Sequence, residues 1–366
     1  MKALMNQRFI FGILLCSALF AFTITGFAQT QQLAANVTAE SVTDADKSAS
    51  DEKKPAAAAS NTEAVEKPAE AKTGEQPNAL VERNKDIENP ATKLWLLQTQ
   101  QNNTQMAMPL NKGNYYRHTF EIEPLMPIEL SRKWTMGFRP VLPFVSQPYP
   151  VPNMPPTLDP STGTLKADMH RMTSLGDMTL GMGVNPQPSL VHNWIIVNGV
   201  TFIFPTATHD ILGQKNWQAG PLNAVGKIGT HYLTYVLQQT WWKIGGDGQR
   251  TRQTWVRYMY NYNFSSGWLV GTMSDMLVNW QADRDQRVAF PVGPQVGKLV
   301  HIGALPTQIA VSAQYYAVRP SNLHSSLTSQ TVVPKWNFQL MLTPIVPSIQ
   351  AIIKHQIPED PTRKKS

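Results

Sequence analysis

Eight histidines, His118, His170, His192, His209, His231, His301, His324 and His355, are scattered along a chain of 366 residues. No two stand in a His-x-x-His or His-Glu-x-x-His spacing, so nothing local assembles a metal site, and neither a metal nor a cofactor is expected. Gly226 with Lys227 and Gly297 with Lys298 invite a phosphate-loop reading. Ile228 and Leu299 then stand where the magnesium-binding hydroxyl is needed, so both pairs read as strand glycines. No Gly-x-Ser-x-Gly elbow occurs, and in "PTATHDILG" the pair His209 and Asp210 reads as loop chemistry, with Asp210 shaping the turn. The single cysteine, Cys16, lies in a leader read below as removed, which excludes thiolate nucleophiles and disulfides from the mature chain. No enzyme is expected.

What remains is a set of ionisable residues inside strand-like runs: Arg117, Glu121, Glu123, Arg139, Asp177, Lys227, Arg257 and Arg319. Their meaning depends on the elements that carry them. Between Trp134 and Phe144 every even position is apolar, while Thr135, Gly137 and Arg139 lie between them. Side chains at period two point alternately to the two faces of a strand, one apolar and one mixed. Twelve such runs are expected, near residues 99–109, 114–129, 134–146, 173–185, 192–205, 219–229, 231–243, 252–264, 267–279, 286–300, 306–319 and 332–342.

The connections alternate in length. Those around Ser131, Pro186, Thr230, Ser265 and Ile302 are short, whereas 147–172, 205–218, 244–251, 281–285 and 320–333 are longer. Bacterial outer-membrane barrels have short periplasmic turns and longer external loops, so the pattern predicts an all-β fold: a closed antiparallel transmembrane β-barrel of about 12 strands with periplasmic termini. Phe120, Ile122, Met178, Leu180, Met182, Val184, Tyr258, Tyr260, Tyr262 and Phe264 are expected to face lipid. Thr119, Asp177, Thr179, Gly181, Gly183, Trp255 and Asn261 are expected to face the lumen. Because an Arg or Lys near mid-bilayer on the lipid face costs about 2–4 kcal/mol, the eight ionisable residues are placed in the lumen as well. Trp134, Trp194, Phe264 and Trp268 are expected at the periplasmic interface, and Phe144, Phe204, Trp241 and Trp280 at the external one.

The two ends suit this fold. Lys2 and Arg8 precede the apolar stretch 9–24, and Gly26 and Ala28 flank a small-x-small cleavage site, so 1–28 reads as a signal peptide. Residues 29–90 are rich in Ala, Glu, Lys, Ser, Thr and Pro and read as a disordered periplasmic arm, a spacer or a tether to a periplasmic partner or peptidoglycan. Within "ATKLWLLQ", at 91–98, a helix turn is expected at the base or mouth of a barrel that spans 91–345; a polar tail, 346–366, follows. Net charge is +7, yet only 16% of residues are charged. That is too dilute for a nucleic-acid partner. Outer-membrane lipid and a small-molecule solute are the partners expected, with basic loop residues Lys166, Arg171, Lys215 and Arg250 offered to lipopolysaccharide phosphates.

The ordered strings "LQTQQNNTQMAMP", "RHTFEIEPLMPIELSRKWTMGFRPVLPFVSQPYP", "SLGDMTLGMGVNP", "TFIFPTATHDILGQKNWQAGP", "QTWWKIGGDGQRTRQ" and "FPVGPQVGKLVHIGALP" resemble a family of predicted outer-membrane barrels. Its members are labelled phenol-degradation MetA-pathway or neuromedin U-like proteins. The resemblance covers about residues 90–343 and implies a transporter-like barrel for small hydrophobic or aromatic compounds. The expected function is therefore a passive pore or facilitator in the outer membrane of a Gram-negative-type cell. A non-conducting structural barrel is the first alternative, and a secreted β-sandwich that binds carbohydrate the second.

Overall fold

The computed structural model describes residues 77–107, 115–150, 157–161, 163–166, 168–320 and 333–348. The stretches read from the sequence as a signal peptide and as an arm before residue 77, with most of the tail, lie outside the described residues. So do 349–354, where Ile349, Ile352 and Ile353 offer, on sequence alone, an alternative last strand to 332–342.

Twelve staves form one antiparallel wall, and they fall on the twelve period-two runs. They are β1 (Leu96–Ala107), β2 (Tyr115–Glu129), β3 (Trp134–Pro150), β4 in two pieces (Met169–Leu175 and Met178–Pro186), β5 (Trp194–Phe204) and β6 (Asn216–Ile228). The remainder are β7 (Tyr232–Gly246), β8 (Arg252–Asn263), β9 (Trp268–Asn279), β10 in two pieces (Val288–Val292 and Gln295–Ile302), β11 (Leu305–Val318) and β12 (Val333–Pro344). Each pairs with its sequence neighbours, and β1 also pairs with β12 from Thr99 with Leu342 to Ala107 with Val333. That last pairing closes the barrel, so its wall has no edge strand.

Both broken staves have local causes. In β4 the chain steps inward at Gly176 and Asp177, while Gly176 N donates to Pro143 O at 2.8 Å and keeps the wall stitched. In β10 the break falls at Gly293 and Pro294, and proline has no N–H for the ladder. Side chains bridge that gap: Thr272 Oγ1 donates to Gly293 O at 2.7 Å, and Gln314 Nε2 to Met273 O at 2.8 Å.

The outer face is apolar with aromatic rims. Trp134, Trp194, Phe264 and Trp268 are exposed at the short-turn end, and Phe144, Trp217, Trp242 and Trp280 at the other. One rim assignment is corrected. Trp241 is buried in the lumen, where its Nε1 donates to Thr201 Oγ1 at 3.0 Å, and Trp242 takes the outer position. With two tryptophans in succession, a one-residue shift exchanges the faces. β1 departs from the apolar exterior, since Thr99, Gln101 and Asn103 face outward between apolar neighbours. Gln101 Nε2 and the His118 ring nitrogen satisfy Asn103 Oδ1 there, at 3.2 and 2.7 Å.

The sharper correction concerns the arm. Residues Pro77–Glu88, placed by composition in the disordered segment, form a helix, α1. Proline is well placed in the first helical turn, where its missing N–H is no loss. Residues 91–95 then turn, but from Leu96 onward the chain is strand rather than helix.

Candidate functional site: a two-chambered lumen

Inward-facing residues divide the lumen into two chambers. The upper one, toward the long loops, has a volume of about 330 Å³; the lower one, toward the short turns, about 80 Å³. Glu123, Arg139, Gly181, Leu222, Leu237 and Arg257 line both, so they form the waist. Gly181 keeps this level passable in one specific way: a Cβ there would lie 2.9 Å from Leu222 Cδ1, which occupies the space a side chain would take.

The waist is held by ion pairs. Arg139 bonds Glu123, which also accepts from Gln98 Nε2 at 3.4 Å. Arg257 grips Asp275 at two points, Nε to Oδ1 at 2.7 Å and a terminal nitrogen to Oδ2 at 2.9 Å, and its guanidinium lies 5.0 Å from the Trp255 ring centre. A two-point arginine–carboxylate contact fixes both planes. The Arg257 side chain is nearly buried, so removing its partner leaves an uncompensated charge. Asp275→Ala is expected to destabilise the barrel by about 3 kcal/mol, seen as a lower temperature for the folded-to-unfolded shift on detergent gels, whereas Asp283→Ala in the exposed loop is expected to leave it unchanged.

A ladder of amides covers the adjoining wall. Gln100 Nε2 and Asn102 Nδ2 donate to Glu121 Oε2 at 3.1 and 3.3 Å, and Asn337 Nδ2 donates to Asn102 Oδ1 at 3.1 Å. These residues make β1 polar on its inner face too. Asp177 has a structural role: its carboxylate accepts from Ala207 N at 3.1 Å and Gln214 N at 2.7 Å. It thereby pins the loop 205–215 across the mouth, so that Leu212 and Gln214 line the upper chamber.

Of the eight ionisable residues expected in the lumen, Arg117, Glu121, Glu123, Arg139, Asp177 and Arg257 line the chambers. Lys227 does not. It stands opposite Trp194 at the short-turn rim, its Nζ 5.1 Å from that exposed ring's centre and bonded to His192 O. The outer face tolerates it because a long basic side chain can bring its charge to the interface. Arg319 is exposed beyond the end of β11 and lines neither chamber.

The lower chamber is mainly apolar, with Val197, Leu222, Met259, Met273 and Met341 in its walls, and α1 forms its floor through Ile87 and Glu88. Ile87 packs with Leu96 and Leu299, and Leu80, Leu94, Leu125 and Ile345 complete the cluster. Polar contacts seat the helix on the short turns. Asn84 Nδ2 donates to Gly267 O at 3.0 Å, and Lys85 Nζ to Gly229 O and Thr230 O at 2.8 and 2.9 Å. Asn261 Nδ2 donates to Glu88 Oε1 at 2.6 Å, but Glu88 Oε2, Asn261 Oδ1 and both amide atoms of Asn263 are buried without partners. Burial pushes the Glu88 carboxyl up to about 8, against the opposing effect of the Asn261 and Asn263 amides.

Composition pointed away from this helix, and none of its residues stood among the expected site residues. The signal available was small: Leu80, Val81 and Ile87 in an otherwise polar stretch.

No protein-family model and no curated protein matches the chain. Solved structures with a similar fold include an outer membrane channel from Pseudomonas putida F1, with 14% identity over 69% of this chain and 96% of that one and a TM-score of 0.46. A FadL homologue from Pseudomonas aeruginosa is 9% identical over 71% of this chain and 93% of that one, at a TM-score of 0.29. The toluene transporter TbuX from Ralstonia pickettii is 9% identical over 72% and 93%, at 0.35.

Proposed function

We propose that the chain is an outer-membrane channel for small, largely apolar solutes, aromatic ones included, and that its own helix α1 closes the periplasmic end. The observation that carries this reading is the graded lumen: a chamber of about 330 Å³ beneath the long loops narrows through a charged waist to an apolar one of about 80 Å³. An apolar cavity of about 150 Å³ suffices to enclose benzene. The upper chamber therefore accepts one small ring, and the lower accepts none while α1 is seated. A helix that belongs to no stave, yet floors the lumen, is the part that has to move for passage. Its residues follow directly on the arm in the sequence, which supports a periplasmic arm.

The protein is expected to fractionate with outer membranes and to migrate differently on detergent gels before and after heating. Recovery as a soluble periplasmic protein would end the reading. In planar bilayers the full chain is expected to conduct only in brief, small steps. A chain that stays silent even without α1 would leave a structural barrel as the better account. Of the loop cations offered to lipopolysaccharide, Lys215 pairs with Asp210 at 2.7 Å and Arg171 bonds Ser146 and Tyr116 O, so exposed Arg250 is the better candidate of these three.

A further inference from the structure

Three arginines reach the upper chamber, and two are engaged by carboxylates: Arg139 by Glu123 and Arg257 by Asp275. Arg117 is different. Among the described residues no carboxylate lies within ion-pair distance of it, and its Nε is buried without a hydrogen-bond partner. Glu121, four residues along the same strand, is held instead by the Gln100 and Asn102 amides. A guanidinium partly removed from water and lacking a carboxylate is a strong site for an acceptor anion.

Its placement adds direction. Arg117 lies near the loop end of β2, while Glu121, Glu123 and Asp275 lie deeper, toward the waist. The remaining walls of the chamber include Trp241, Trp255, Val141 and Ile203. An unpaired positive group thus stands at the outer end and apolar surface in the middle, while at the inner end Arg139 and Arg257 are neutralised by Glu123 and Asp275 and offer a carboxylate no free cation.

We infer that the upper chamber is a binding site for a monocyclic aromatic carboxylate, held with its carboxylate on Arg117 and its ring against the tryptophan-lined wall. This rests on the channel reading above and names the solute class that the same chamber selects. The ring points toward the apolar chamber below, so the solute is oriented ring-first for passage. The volume suffices, being about twice that of a cavity that holds benzene alone.

Benzoate, benzamide and benzamidinium share one shape and carry charges of opposite sign or none, so they separate charge from fit. Binding to the full chain in detergent is expected in the order benzoate, benzamide, benzamidinium. Arg117→Gln is expected to weaken benzoate by about tenfold or more, the worth of one charge-assisted hydrogen bond, and to leave benzamide within about twofold. Arg117→Lys should restore part of the benzoate affinity. The comparison of the three probes on the unaltered chain needs no variant to fold. Equal binding of benzoate and benzamide, or preference for benzamidinium, overturns this inference and leaves the channel reading standing. Failure of all three to bind, together with a silent bilayer after removal of α1, removes both.

Discussion

Removing α1 is expected to raise single-channel conductance by about tenfold or more, because the hydrophobic and polar floor of the lumen goes with it and the constriction moves up to the waist. The comparison is between the full chain and a chain lacking 77–88, both in planar bilayers. Conductance of the full chain is also expected to depend on pH, and the sign follows from Glu88. Seated, its carboxyl is pushed up to about 8; released into water it returns toward its ordinary value of 4.5. The seated state therefore binds more protons than the released state between those two values. Below about 4.5 both states are protonated and seating is at its strongest. As pH rises toward 8 the released helix ionises first, so seating weakens and open time increases. Above about 8 both are ionised and the effect levels off. Glu88→Gln keeps the amide contact and removes the titration, so it should hold the channel closed across the range. Loss of pH dependence in that variant ties the effect to this one carboxyl, whereas unchanged dependence would assign it elsewhere.

The barrel was legible because its signals are local and repeated. A strand that touches lipid on one side alternates, and the turns that join such strands differ in length by side. The Trp134–Phe144 run and the short connections at Ser131, Thr230 and Ser265 carry this without any knowledge of what they pack against. β1 shows where the signal thins, since Gln98 to Asn103 are polar on both faces. Its inner amides find Glu121 and Asn337, and its outer ones satisfy each other and His118. Those partners are 15 or more residues away or on the same strand, and periodicity does not register them.

What was not legible needed a second element. α1 has too few apolar residues to fold alone, and its stability comes from the Leu96, Leu125 and Leu299 surface that three strands supply, two of them distant in sequence. From the sequence, Lys227 reads as inward-facing on the premise that a charge on a strand avoids lipid. The premise fails at the rim, where Trp194 and water are both within reach. The waist pairs are intermediate: facing alone puts Arg139 and Arg257 in the lumen, but the choice of Glu123 and Asp275 as partners depends on register across staves.

Facing itself has a decisive test. Val200 lies on β5 midway between Trp194 and Phe204, is 45% exposed and stands beside Met182 on the outer wall. Val200→Arg puts a guanidinium near mid-bilayer, at a cost of about 2–4 kcal/mol. That is a large share of the margin by which a folded chain is stable. Folded barrel recovered from the outer membrane is therefore expected to fall severalfold, and the remainder to unfold at lower temperature on detergent gels. Thr179→Arg is the matched control. Its side chain opens onto the upper chamber, beside the Asp177 carboxylate two positions along the same face. There the added charge meets solvent and acidic neighbours rather than hydrocarbon, so assembly should be near normal. The same substitution should narrow the chamber and lower conductance even after α1 is removed. A chain that tolerates Arg at Val200 but fails with Arg at Thr179 would invert the wall, and with it the placement of every charged residue assigned to the lumen.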